Sequence, residues 1–215
     1  LRPICAASSK DIEKLMTSPT EVMGPDREGA ASREDNVTSP LGRDGFAAVL
    51  GTLCAQAAAM ETRLSVLAVA WDSFPALQAQ GDAALCEAAL AALAGRLPGG
   101  LRRSEDGLGF LGDGVFGVML PRTDSSGADC VARRLQALFQ PLPSAAVSTP
   151  ADADERPARL ALRGTLSIGV ASYGGRGPVD ASALIAAAEA ACRVAQVDGG
   201  NKIVRRDAAL GRAPG

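Results

Sequence analysis

The sequence predicts an α/β protein of the α+β type, built on a ferredoxin-like β-α-β-β-α-β core. Three observations carry that expectation. Short apolar runs alternate with alanine- and leucine-rich stretches of helical period. Two of those runs, residues 107–111 and 115–120, flank Asp113-Gly114, a dipeptide suited to the left-handed backbone of a tight hairpin turn. The hairpin lies between two helical stretches, with a further strand beyond each, and that is the β-α-β-β-α-β order.

In chain order, residues 43–60 are alanine-rich, with Phe46, Val49, Leu50 and Leu53 at helical spacing. Residues 64–71 are apolar apart from Ser65 and contain valines, which fits a central strand covered on both faces. Asp82 is placed to cap a helix whose Leu85, Ala89, Leu93 and Leu97 form an i, i+4 stripe. After the hairpin comes a helix over residues 127–139 that buries Val131, Leu135 and Leu138. A strand over residues 165–171, a helix over 180–197 and a short strand over 202–205 complete the order.

Two segments read differently. Residues 17–42 hold Pro19, Pro25 and Pro40 among charged and small polar side chains, which is linker composition, and ahead of them only residues 10–16 have helix character. Residues 140–157 are rich in Pro, Ala, Ser and Asp and read as a surface-loop insertion. The expected organisation is a linker or the tail of a preceding domain over residues 1–34, one domain over 35–207, and a disordered tail over 208–215. The chain opens on Leu1 and is expected to be a fragment of something longer, with a receiver domain one option for what precedes it.

Composition narrows the function. The 22 basic and 24 acidic side chains give a net charge of −2, which offers no electrostatic footprint for nucleic acid or an anionic membrane. The longest mostly apolar stretch, residues 64–71, falls far short of the ~20 residues that span a bilayer, nothing resembles a signal peptide, and a cytoplasmic location is expected. Five cysteines without a Cys-x-x-Cys pair fit reduced, mostly buried thiols better than a disulfide framework or a zinc site. With no histidine, Ser-His and Cys-His nucleophile systems are excluded, leaving carboxylate-held divalent metal as the main conventional route to catalysis.

The stretch Arg103-Ser104-Glu105-Asp106, followed after five residues by Gly112-Asp113-Gly114-Val115-Phe116 and a strand ending in Pro121, resembles the centre of a GGDEF (diguanylate cyclase) domain. In that family an Arg-x-x-Asp pair precedes a Gly-Gly-Asp/Glu-Glu-Phe hairpin at this spacing. Asp35, Thr38, Arg43 and Phe46 match the family's opening motif; Thr165-Leu166-Ser167-Ile168-Gly169-Val170-Ala171 matches a later strand. Ala188-Glu189-Ala190-Ala191 and Asp198-Gly199-Gly200-Asn201 match the closing helix and its cap, so the likeness covers most of residues 35–206.

The departures cluster on the catalytic signature. Gly114 and Val115 stand at the two acidic positions of the hairpin, and Ala70 in Ala70-Trp71-Asp72-Ser73-Phe74 replaces the first aspartate of Asp-x-Asp-x-Phe, a metal ligand in cyclases. Gln196 and Gly200 stand where cyclases put a Lys and an Arg on the GTP phosphates. Condensing two GTP molecules needs divalent metal held by carboxylates to activate the attacking hydroxyl, and cations to neutralise the triphosphate. The resemblance therefore implies a degenerate domain that is not an enzyme and needs no cofactor.

The family's inhibitory site is a separate surface, and its residues are kept. The resemblance assigns cyclic di-GMP binding to Arg103 and Asp106, with Arg134 of the next helix in a third role. An arginine fork bonds guanine O6 and N7 or a phosphate, and a carboxylate accepts from the guanine N1 and N2 protons. An Arg-x-x-Asp pair on its own is usually a solvated charge pair, and Arg134 is equally an ordinary surface arginine. Asp72 and Asp82 read as caps before metal ligands, and Asp113 as a turn residue. The expected function is cyclic di-GMP reception relayed to an unidentified protein partner, with a homodimer left open. The rivals are a low-activity cyclase or GTP-binding module, and an interaction domain that ignores the ligand.

Overall fold

The computed structural model describes residues 41–139 and 164–207. They form α1 (Arg43–Ala59), β1 (Leu64–Trp71), α2 (Phe74–Gln78), α3 (Ala83–Arg96), a 3-10 turn (Leu97–Gly100), β2 (Gly107–Gly112), β3 (Val115–Pro121), α4 (Ser125–Leu138), β4 (Leu166–Tyr173), α5 (Ala181–Val197) and β5 (Ile203–Asp207). The expected helix at 10–16 and the insertion at 140–157 lie outside the described residues.

The sheet runs β2-β3-β1-β4-β5. All neighbours are antiparallel except β4 and β5, which are parallel. Strands β1 to β4 with their crossovers are the expected β-α-β-β-α-β core; α5 and β5 extend it at one edge.

Central strand β1 is buried at all eight residues, as an apolar run without alternation requires. Leu67, Val69 and Trp71 enter the layer beneath α3 and α4, whereas Val66, Ala68 and Ala70 enter the layer beneath α1 and α5. This is the period-two alternation of a strand serving two cores. Its one polar side chain, Ser65, is bonded to Thr123 O at 2.8 Å and paired with Ser172 Oγ at 2.8 Å.

Helix α1 is anchored by Phe46, which fills a slot left by Gly109 and Gly117, partners across β2 and β3. A Cβ on Gly117 would lie 2.7 Å from Phe46 Cζ, so neither strand can carry a side chain there without displacing the ring. The stripe of α1 is Phe46, Leu50, Cys54 and Ala57; Val49, expected to join it, is 41% exposed. Alanine on the flanks of the helix hid the true direction of the stripe.

Aspartates start three helices. Asp82, Asp124 and Asp180 accept from the backbone amides of Leu85, Gly127 and Ala183 at 2.9, 2.8 and 2.9 Å. The Asp124 cap starts α4 before the expected residue 127. The hairpin turns with Asp113 at φ 48° and Gly114 at φ 72°, the left-handed pair the dipeptide implied. Leu41, within the stretch of linker composition, belongs to the fold: it lies parallel to β2, donating to Leu108 O at 3.1 Å and accepting from Phe110 N at 2.7 Å.

Candidate ligand-binding site

The loop that carries Arg103 and Asp106 is delivered by the 3-10 turn, which runs close over α4. A Cβ on Gly100 would stand 3.1 Å from Leu135 Cγ, so a side chain there would push the leucine aside. The loop then closes on itself. Asp106 N donates to Arg103 O at 3.1 Å, and Arg103 N donates to Asp106 Oδ2 at 3.2 Å. The spacing of the Arg-x-x-Asp pair is thus the spacing of one turn, with the aspartate locking it.

The Arg103 side chain, 53% exposed, donates through Nη1 to Thr123 Oγ1 at 3.3 Å and stands 3.9 Å from Glu105 Oε1. Thr123 donates its own hydroxyl proton to Pro121 O at 3.0 Å. Since Thr123 O also accepts from Ser65, a polar chain leads from Arg103 through Thr123 into the centre of the sheet. Sequence reasoning missed Thr123, which carries no motif. It also passed over Glu105, although a carboxylate inside the Arg-x-x-Asp motif was the available signal.

Arg134 lies in the middle of α4, half-buried. The structure brings Arg103 and Asp106 together; among the described residues no hydrogen bond or ion pair joins Arg134 to either. Two polar atoms of these residues, Asp106 Oδ1 and Arg134 Nε, are shielded from water and have no hydrogen-bond partner among the described residues. Such atoms are rare because each costs about 1–3 kcal/mol.

A separate cleft of about 340 Å³ is lined by residues that include Arg43, Phe74, Asp113, Val115, Cys192 and Gln196. Ala70 pairs with Val115 across β1 and β3, and Trp71 N reaches Gly114 O at 3.5 Å, so the three altered positions converge. What meets there is apolar. Ala70 is buried, Val115 packs against the same core layer, and a Cβ on Gly114 would lie 2.6 Å from Phe74 Cγ. Among the described residues no group of three or more His, Cys, Asp or Glu could hold a metal ion. The residues present do not fit the metal that cyclase chemistry requires.

Arg43 at the cleft and Asp72 at the end of β1 are engaged by structure. Asp72 Oδ2 accepts from Thr165 Oγ1 at 2.6 Å and from Asn201 N at 2.9 Å, which ties β1 to the turn before β5. Arg43 donates to Glu189 at 2.9 and 3.2 Å and to Leu111 O at 2.6 Å, fastening α1 to α5 and the hairpin. Burial pushes the Cys192 thiol up to about 11, so it is no nucleophile. Among the described residues no helix is long and apolar enough to cross a membrane.

The family model described as "Diguanylate cyclase, GGDEF domain" matches residues 32–202. No curated protein matches the sequence. Among solved structures, a truncated PA1120 (TpbB or YfiN) from Pseudomonas aeruginosa comprising only the GGDEF domain is 25% identical, with 80% of this chain and 92% of that chain covered and a TM-score of 0.61. The GGDEF domain of DgcB from Caulobacter crescentus, solved in complex with c-di-GMP, is 16% identical over 84% of this chain and 98% of that one, with a TM-score of 0.61. Diguanylate cyclase SiaD from Pseudomonas aeruginosa, in complex with its activator SiaC, is 21% identical over 82% of this chain and 62% of that one, with a TM-score of 0.64. With the family model spanning residues 32–202 and the fold shared with these structures, the chain belongs to the GGDEF domain family.

Proposed function

We propose that this GGDEF domain makes no cyclic di-GMP but binds it through Arg103, Asp106 and Arg134, and relays occupancy to a protein partner. The observation that carries the reading is the division of labour in the Asp106 carboxylate. Oδ2 locks the loop onto Arg103, while Oδ1 is left without a partner. Arg134 Nε is an unmatched donor in the same way. A carboxylate oxygen left over in the turn that carries a half-exposed arginine suits a guanine edge and a phosphate, once the ligand displaces what covers it.

Catalysis lacks its parts. With Ala70, Gly114 and Val115 at the carboxylate positions, nothing in that corner binds the metal that would activate a hydroxyl. The DgcB domain in complex with c-di-GMP supports a ligand role for the fold, and the SiaD complex with SiaC supports a protein partner. A ligand can act on such a partner only through a difference in interaction free energy between bound and free states.

Calorimetry with cyclic di-GMP and with GTP tests the reading. Cyclic di-GMP should bind, and Arg103→Ala should weaken it by about 1–3 kcal/mol, roughly 5- to 150-fold. Asp106→Asn should also weaken it, since an amide presents a donor where an anion accepted. On binding, hydrogen exchange should slow in residues 101–106 and in α4, while α5 changes little. Incubation with GTP and Mg²⁺ or Mn²⁺ should yield no cyclic di-GMP above a protein-free control. Equal affinity of wild type and Arg103→Ala would instead favour a ligand-independent interaction domain, for which the engagement of Arg103 by Thr123 and Glu105 already speaks.

A further inference from the structure

Glu105 lies inside the turn that Arg103 and Asp106 close, yet neither tie of that turn uses it. Its side chain is 31% exposed, and its carboxylate is divided between two arginines: Oε2 pairs with Arg122, and Oε1 stands 3.9 Å from Arg103 Nη1. Arg122 adopts φ 50°, in the left-handed region that long side chains seldom occupy. It immediately precedes Thr123, whose hydroxyl accepts from Arg103. Two consecutive residues at the end of β3 therefore hold the two groups at issue: Arg122 takes the anion and Thr123 takes the cation.

The arginine meets an anion of its own protein before it meets a ligand. A cyclic dinucleotide brings two phosphates, and one approaching Arg103 must come close to the Glu105 carboxylate. Like charges on one side of a guanidinium repel, and partial burial lessens the screening that would hide the effect.

We propose that Glu105 is the internal counter-anion of the ligand-binding arginine and sets how tightly the site takes a cyclic dinucleotide. Bound ligand displaces the carboxylate from Arg103, and Arg122 is the cation that receives it. The inference rests on the reading of Arg103 as a ligand residue.

The test is calorimetric titration of the full chain with cyclic di-GMP, comparing wild type, Glu105→Gln and Arg122→Ala after circular dichroism has established that each is folded. Glu105→Gln should tighten binding by about 2- to 10-fold, the span of one partly exposed ionic interaction to a stronger like-charge clash. Arg122→Ala should weaken binding, because Glu105 then has Arg103 as its one remaining arginine among the described residues. A pair that merely braced the loop would shift affinity the same way in both variants, since both substitutions break it. Shifts in the same direction, or an unchanged affinity in Glu105→Gln, overturn the proposal while leaving the ligand reading in place. No binding by wild type or either variant overturns the ligand reading itself, and the role of Glu105 with it.

Discussion

Phe74 stands where a side chain on Gly114 would have to begin. Residue 114 is at φ 72°, and three atoms of the Phe74 ring lie within 3.0 Å of a Cβ built there. Packing therefore closes this corner to a side chain at position 114.

Placing acids in this corner should not create a metal site. Gly114→Glu is expected to lower stability by about 2–4 kcal/mol, combining the left-handed backbone with an overpacked ring. The urea midpoint should fall with the m-value unchanged. Electron paramagnetic resonance should find added Mn²⁺ free even in Ala70→Asp/Gly114→Glu. Phe74→Ala alone removes a buried ring at a cost of about 3–5 kcal/mol, so the packing part of the Gly114→Glu loss should appear as a coupling in the double-mutant cycle.

Asp72 holds the turn at residues 198–201 to the end of β1. That turn has Gly199, Gly200 and Asn201 in succession at positive φ, and the amide of Asn201 points at the carboxylate. Asp72→Ala should destabilise the domain by about 1.5–3 kcal/mol, the range for hydrogen bonds to a charged group. Exchange of the Asn201 amide should quicken. Asp72→Asn should cost less, because an amide oxygen keeps the acceptor.

Acid should weaken the fold through its helix caps. Asp180 is held below the usual carboxylate range by the Ser182 hydroxyl and the Ala183 amide. Asp124 is held low by the Gly127 amide, with Arg63 beside it. A carboxyl that ionises more readily when folded makes the unfolded chain the stronger proton binder. Its contribution is complete above an unfolded-state pKa of about 4 and is lost as pH falls through the folded-state value. Urea midpoints measured from pH 6 downwards should therefore drop below about pH 4. The drop should be shallower in Asp124→Asn/Asp180→Asn, since asparagine caps nearly as well but does not titrate there.

Thiol labelling should separate the cysteines by position. Burial pushes Cys54 and Cys192 up to about 11, and Cys86 is buried, whereas Cys130 is exposed on α4. With iodoacetamide at pH 7.5, peptide mapping should find Cys130 modified in the native state and Cys54, Cys86 and Cys192 only after unfolding.

The sequence disclosed what local chemistry dictates. Asp113-Gly114 specified its turn, Asp82 its cap and the run at 64–71 its two-sided burial, each because one or two residues settle the matter. Helix α2 went unread because five residues starting Phe74-Pro75 offer no period to count. Leu41 went unread because its pairing with Gly109 is a backbone contact, which linker composition does not reveal. At the candidate site, the spacing of Arg103 and Asp106 was visible as a motif. Thr123 and Arg122 reach the same place only because β3 ends there.

Ser65 has a consequence for how the chain finds its pairing. The other seven residues of β1 are apolar and buried, so burial alone says little about how the strand aligns along β3 or β4. The serine breaks that degeneracy. In the native alignment its hydroxyl meets Thr123 O and Ser172 Oγ; in a slipped alignment it would be buried facing hydrocarbon, unmatched. One oxygen atom thus works as an address for the whole sheet, selecting a single alignment from several that the hydrophobic effect alone would accept.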